Sequence, residues 1–130
     1  AQMYTLREFT RTEKDLAETL KKVKKMGWDA VQMSGAVALP YKTLHKMLDD
    51  NELVCCATHI SYELMRDNPE QVIQDHYEIQ CKYPAIGGLP GAYRNAEGYS
   101  KFAKEASQVG KKLAGRLLDG VLHDGYPTFE

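Results

Sequence analysis

The chain is poor in the features that assign a function at sight. No apolar run approaches the ~20 residues of a membrane-spanning helix, and Ala1-Gln2-Met3-Tyr4 lacks the basic start and apolar stretch of a signal peptide. Neither charge sign dominates: 17 basic and 18 acidic residues leave a net charge of −1. That balance argues against an electrostatically driven nucleic-acid binder and against a membrane-surface module. Three cysteines are present, none at C-x-x-C spacing, with Cys55 and Cys56 adjacent and Cys81 at a helix end. They suit reduced core thiols of a cytoplasmic protein better than a metal or disulfide framework. No H-E-x-x-H occurs and no G-x-G-x-x-G follows the first expected strand. The run Gly87-Gly88-Leu89-Pro90-Gly91 lacks the Lys and Ser/Thr of a phosphate-binding P-loop, but suits a tight turn that brings backbone near a ligand.

What is present is an alternation. Within 130 residues, 43% of them hydrophobic, a strand-like segment runs four times into a longer helix-like one. The strand starts fall near Met3, Trp28, Val54 and Lys82, in steps of 25, 26 and 28 residues. Each step holds one strand, one helix and two short loops. Parallel neighbours need such long, right-handed return paths. Two architectures fit: an open doubly wound sheet, or part of a (β/α)₈ barrel, which needs about 250 residues when closed.

Local signals place the elements. The first strand is expected over Met3–Phe9. Thr12 followed by Asp15 is a capping-box start. Leu16, Leu20, Val23 and Met26 then recur at helical spacing, with Gly27 as the C-terminal cap. Trp28–Gly35 is the second strand and residues 41–50 form a short helix. Leu53–His59, nearly all apolar, suits a strand covered on both faces. Asn68-Pro69-Glu70-Gln71 opens a helix that reaches about Gln80. Lys82–Gly87 is the fourth strand. Asn95 caps the longest helix, with Tyr99, Phe102, Ala103, Ala106, Val109 and Leu113 as its inner stripe. The pattern degrades after Gly115, and residues 116–123 make a poor fifth strand. The chain thus reads as one domain, 1–130, of four β/α units with an irregular tail over 115–130.

In both architectures the site lies at the C-terminal ends of the strands. Those ends offer Arg7 and Glu8, then Gln32 and Ser34, then Thr58, His59 and Ser61, then the Gly87-Gly88 turn, and last His123 and Asp124. Arg, Gln and His supply directional hydrogen bonds to hydroxyls or a carbonyl, as a small polyhydroxylated ligand requires. His59, where a strand leaves the core, is the principal candidate to bind such a hydroxyl or move a proton. His45 and His76 fall on helices, where packing is their ordinary role. Tyr93 and Arg94 are placed to cover a pocket mouth.

Several stretches together resemble the sugar phosphate isomerase/epimerase family, with its xylose-isomerase-like TIM barrel. They are Tyr4-Thr5-Leu6-Arg7, Gly27-Trp28-Asp29-Ala30-Val31-Gln32, Ala57-Thr58-His59-Ile60-Ser61, Cys81-Lys82-Tyr83, Ile86-Gly87-Gly88-Leu89-Pro90, and Ala96-Glu97-Gly98-Tyr99 through Gly110-Lys111-Lys112-Leu113-Ala114. The resemblance implies a partial TIM barrel of four to five parallel β/α units. A half-barrel leaves its first and last strands as exposed edges and its inner face without an opposite wall, so self-association is expected, as a homodimer or higher oligomer. The resemblance also implies an isomerase or epimerase of a sugar or sugar phosphate, moving a proton next to a carbonyl with a divalent metal (Mn, Mg, Co or Zn). Its metal ligands come mainly from later barrel strands. By position His59 would be catalytic, and Arg7, Gln32, His59 and His123 would contact substrate. Glu130 is the one candidate metal ligand. Catalysis by this chain alone is expected to be incomplete, the alternative being a non-catalytic carbohydrate-binding α/β module or a truncated fragment.

Overall fold

The computed structural model describes residues 1–117. The expected fifth strand beyond Leu117, with His123, Asp124 and Glu130, lies outside them. The element order is a 3₁₀ segment Met3–Phe9, α1 (Glu13–Lys25), β1 (Ala30–Met33), α2 (Tyr41–Asp49), β2 (Val54–His59), α3 (Tyr62–Asp67), α4 (Pro69–Glu78), β3 (Pro84–Ala85), a short turn Gly91–Tyr93, and α5 (Ala96–Leu117). It is an α/β fold with a three-stranded parallel sheet in the order β1-β2-β3, not a closed barrel. None of the helices in the described residues is long and apolar enough to cross a membrane. Two compact units emerge: Ala1–His59 with Asp75–Ala85, and Ile60–Gln74 with the segment from Ile86 onward.

The first unit holds the sheet. Leu16, Leu20 and Val23 of α1 and Leu44 and Leu48 of α2 share one buried cluster with Val31, Met33 and Cys55. Helices therefore cover the sheet face to which Val31, Met33 and Cys55 point. The other face is open, because Val54 is 49% exposed and Cys56 is exposed. The expectation that this strand is covered on both faces is wrong: its apolar run is broken into two faces with different surroundings.

The first expected strand is also corrected. Only its edge pairs, through an isolated parallel bridge between Gln2 and Gln32 and a hydrogen bond from Gln32 N to Ala1 O of 2.8 Å. From Met3 the chain coils into 3₁₀ turns, burying Met3 completely and leaving Tyr4 and Phe9 52% and 65% exposed. The β-forming side chains found no second sheet surface to pack on, so propensity was overridden. The fourth expected strand shrinks to Pro84–Ala85, since Pro84 contributes no N–H to a ladder.

The helix signals fare better. Thr12 Oγ1 accepts from Asp15 N at 3.1 Å, as a capping box requires. At the other end of α1, Gly27 takes φ +91°, and its N–H bonds Lys24 O while Trp28 N bonds Val23 O. That paired closure is a Schellman cap, and glycine is the residue that adopts it without strain. Met26 is 71% exposed, and Thr19 takes the buried position instead, its hydroxyl donating to Phe9 O at 2.7 Å.

In the second unit, Asn68 and Asn95 cap their helices as expected, accepting from Gln71 N at 3.4 Å and Gly98 N at 2.8 Å. α5 runs through Gly115 to Leu117 rather than ending there. Its inner stripe is Gly98, Phe102, Ala106, Val109, Leu113 and Leu117, while Tyr99 is 61% exposed and Ala103 is also exposed. Gly98 anchors that stripe because a side chain there would meet the Tyr93 carbonyl oxygen at 2.5 Å. α3 was not expected, yet Ser61 caps it by accepting from Leu64 N at 3.1 Å.

Candidate functional site

The strand ends of the first unit are shaped by one irregularity. β1 and β2 pair Ala30 with Val54 and Val31 with Cys55, then Gln32 with Ala57 and Met33 with Thr58. Cys56 is the extra residue, a β-bulge that reverses which face the following side chains take. Without it Thr58 would sit on the open face and His59 would point into the core. With it, His59 lies half-buried on the open face beside Gln32, and Thr58 is buried.

Each residue then finds a partner. The Gln32 amide nitrogen lies 2.6 Å from His59 Nε2, so the amide donates and the imidazole accepts. Accepting at Nε2 requires the neutral ring with its proton on Nδ1. On the covered face, Thr58 Oγ1 lies 2.7 Å from His76 Nε2, and His76 is 1% exposed. The helical histidine is thus a buried hydrogen-bonding partner of a strand-end residue, a long-range pairing across 18 positions that no local spacing announces.

Behind these ends is a pocket of about 240 Å³, bounded by the loop after β1, by Tyr41 and Leu44 of α2, and by Thr58 and His59. Ser34 is among the residues around it, and its hydroxyl oxygen is buried without a hydrogen-bond partner. An orphaned hydroxyl of this kind costs about 1–3 kcal/mol. Burial raises the Tyr41 hydroxyl above its usual range, with Asp75 adding to the effect. The Cys55 thiol donates to the Ala57 carbonyl at 3.4 Å, and the neighbouring Cys81 together with burial raises its pKa and keeps it protonated, whereas the exposed Cys56 departs from the expected core role.

Gln32, Ser34, Thr58 and His59 are therefore brought together at one end of the sheet. Arg7 and Glu8 are not, because their segment is 3₁₀ rather than strand. Arg7 packs beside Gly35 but donates to Tyr4 O at 3.0 Å, with its guanidinium over the Tyr4 ring, and Glu8 pairs with Arg11. Ser61 serves as a helix cap in the second unit. There the Gly87-Gly88 turn, Ser61, Glu63 and Arg94 border a separate pocket of about 460 Å³. Tyr93 does not cover its mouth: the residue is buried, its ring against Tyr62 and Phe102, and its hydroxyl donates to Glu105 at 2.6 Å.

Among the described residues no three His, Cys, Asp or Glu side chains come together as a metal site would need. At the β1–β2 end His59 is paired with the Gln32 amide, a donor set poorly matched to a catalytic divalent ion. Residues 1–117 do not fit the ligand set that the resemblance implies.

Compared with known proteins, the chain matches no family model and no curated protein.

Proposed function

We propose that this chain is a half-barrel of the sugar phosphate isomerase/epimerase type that binds a small sugar or sugar phosphate at its strand ends, with His59 as the proton-handling group. The observation that carries this reading is the Gln32–His59 hydrogen bond on the open face of a parallel sheet. The strand order supports a barrel parent. Gln2, β1, β2 and β3 follow one another across the sheet in chain order, with helices on one face. A doubly wound sheet instead reverses order at a switch point and covers both faces.

Neutral His59 can accept a proton from a carbon or hydroxyl next to a carbonyl once a ligand displaces the Gln32 amide from Nε2. The Gln32 carbonyl oxygen can then rotate to accept from the imidazolium, which delivers the carbon's proton to the former carbonyl carbon while the adjacent hydroxyl's proton passes to the former carbonyl oxygen. No step is routed through a metal.

The open sheet face, where Val54 and Cys56 are exposed, also favours a homodimer that covers it. The test of function is exchange of solvent deuterium into aldoses, ketoses and their phosphates, with and without added Mn²⁺. Incorporation that His59→Ala abolishes is expected. Saturable sugar binding without exchange in any condition would instead assign a non-catalytic carbohydrate-binding module, and neither binding nor exchange would overturn the reading.

A further inference from the structure

The pocket of about 460 Å³ in the second unit holds two opposite charges that do not meet. It lies where the loop after β3 comes to the first turn of α3, and Glu63 and Arg94 border it, both exposed. Among the described residues the Glu63 carboxylate has no partner, and the Arg94 side chain makes a single bond, from Nε to Leu89 O at 2.9 Å. Its terminal nitrogens are left free. The loop also offers bare backbone: among the described residues the N–H groups of Gly88 and Leu89 find no acceptor. Neither a positive φ nor a close neighbour demands glycine at position 88, where a side chain would meet nothing within 4 Å. Half-buried Ile60, Ile86 and Leu89 supply the apolar part of the border.

These features select a ligand by charge. A phosphate would be drawn to Arg94 but repelled by the Glu63 carboxylate, and a simple amine would meet the reverse. A neutral sugar would leave both charges without a counter-charge. A zwitterion satisfies both, because a guanidinium fork and backbone N–H groups suit a carboxylate, and a carboxylate suits an ammonium group. The apolar residues then suit an apolar side chain. We propose that this pocket binds a free α-amino acid with an apolar side chain, its carboxylate at Arg94 and the Gly88–Leu89 amides and its ammonium at Glu63. The site goes beyond the sugar-binding reading, since it lies wholly in the second unit and uses neither Gln32 nor His59.

The test is a titration of the full chain with L-leucine, followed by ¹H–¹⁵N NMR. The controls are isocaproate, which lacks the ammonium, isoamylamine, which lacks the carboxylate, and glucose. Saturable shifts at the amides of Glu63, Gly88 and Leu89 are expected with leucine, and none with glucose. Each half-charged analogue should bind about fivefold more weakly than leucine, the loss of one partly exposed ion pair. Glu63→Gln, whose lost carboxylate has no partner in the fold, should bind leucine no more tightly than the wild type binds isocaproate. Arg94→Gln should weaken leucine about tenfold. Arg94→Lys restores the charge without the Nε bond to the loop and should recover part of that loss. No saturable shift with leucine, equal affinity for leucine and either analogue, saturation of these amides by glucose, or unchanged leucine affinity in Glu63→Gln would each overturn the proposal.

Discussion

Thr58 Oγ1 and His76 Nε2 meet at 2.7 Å in the interior of the first unit, joining the end of β2 to the last turn of α4. Both residues are almost fully buried. Replacing Thr58 by Val keeps the shape but leaves the imidazole nitrogen facing a methyl group. The expected cost is about 1–3 kcal/mol, the penalty for a buried polar group left without its partner. Thr58→Ser, which retains the hydroxyl, should lose less. Urea unfolding of the three proteins checks this, and equal midpoints for Val and wild type would remove the bond from the account.

On the opposite face of β2 the Gln32–His59 contact makes a spectroscopic prediction. The amide donates to Nε2, so the imidazole should carry its proton on Nδ1 in the wild type. Gln32→Leu withdraws the donor and should release the ring into a mixture of tautomers. Imidazole ¹⁵N shifts read this directly. Stability should change by less than about 1 kcal/mol, because both side chains are only half-buried and water can replace the bond.

Two glycines in α5 should respond to alanine with opposite signs. At Gly98 an added Cβ meets the Tyr93 carbonyl oxygen at 2.5 Å, whereas at Gly110 it meets nothing within 4 Å. Alanine is favoured over glycine in a helix by about 0.8–1 kcal/mol. Gly110→Ala should therefore stabilise by nearly that amount. Gly98→Ala should destabilise by about 1–3 kcal/mol, since overpacking against backbone outweighs the propensity gain. Thermal melts of the two variants would show midpoints moving in opposite directions.

How much of this was legible in the sequence depends on how local the interaction is. Thr12 with Asp15, Asn68 with Pro69, and Asn95 announce helix starts because each bonds backbone three residues on. The same local signal stands at Ser61, whose side chain accepts from Leu64 N, but its place just past a strand end also fits a ligand contact, so residue type alone does not decide between the two. The strand at Met3–Phe9 failed because a strand needs a partner and a surface, and Tyr4 and Phe9 had neither. The stripe of α5 was misplaced by one position at its start because Gly98, lacking a side chain, does not register as apolar. Gln32 and His59 were legible as strand-end residues, but their meeting was not. It depends on the bulge at Cys56, which is set by the pairing register and not by residue type. Ser34 was legible as a strand-end polar residue, whereas its orphaned hydroxyl was not.

Tyr41 gives the pH dependence. Burial raises its hydroxyl above the usual value of 10.0, and Asp75 reinforces the shift. The folded state therefore holds this proton more tightly than the unfolded chain does. Below pH 10 both states are protonated and its contribution is fully present. As pH rises from the unfolded value through the higher folded one, the unfolded state releases the proton first and stability falls. Tyr41→Phe should remove part of the decline that sets in above about pH 10 without altering the slope below it. Urea midpoints across that range check the sign: a wild type that gains stability with alkali, or a Phe variant with an unchanged decline, would contradict it.

The open sheet face makes the last prediction. Val54 is 49% exposed beside Cys56, on the face that no helix of the first unit covers. If a second copy covers that face, Val54 is buried in the pair, and a charge there would have to be desolvated without a partner. Val54→Lys should thus convert dimer to monomer in light scattering while leaving the far-UV circular dichroism of the fold unchanged. In a monomer the same lysine points into water and costs little. A wild type that scatters as a monomer at every concentration tested, or a Val54→Lys protein as dimeric as the wild type, would assign this face to something other than self-association.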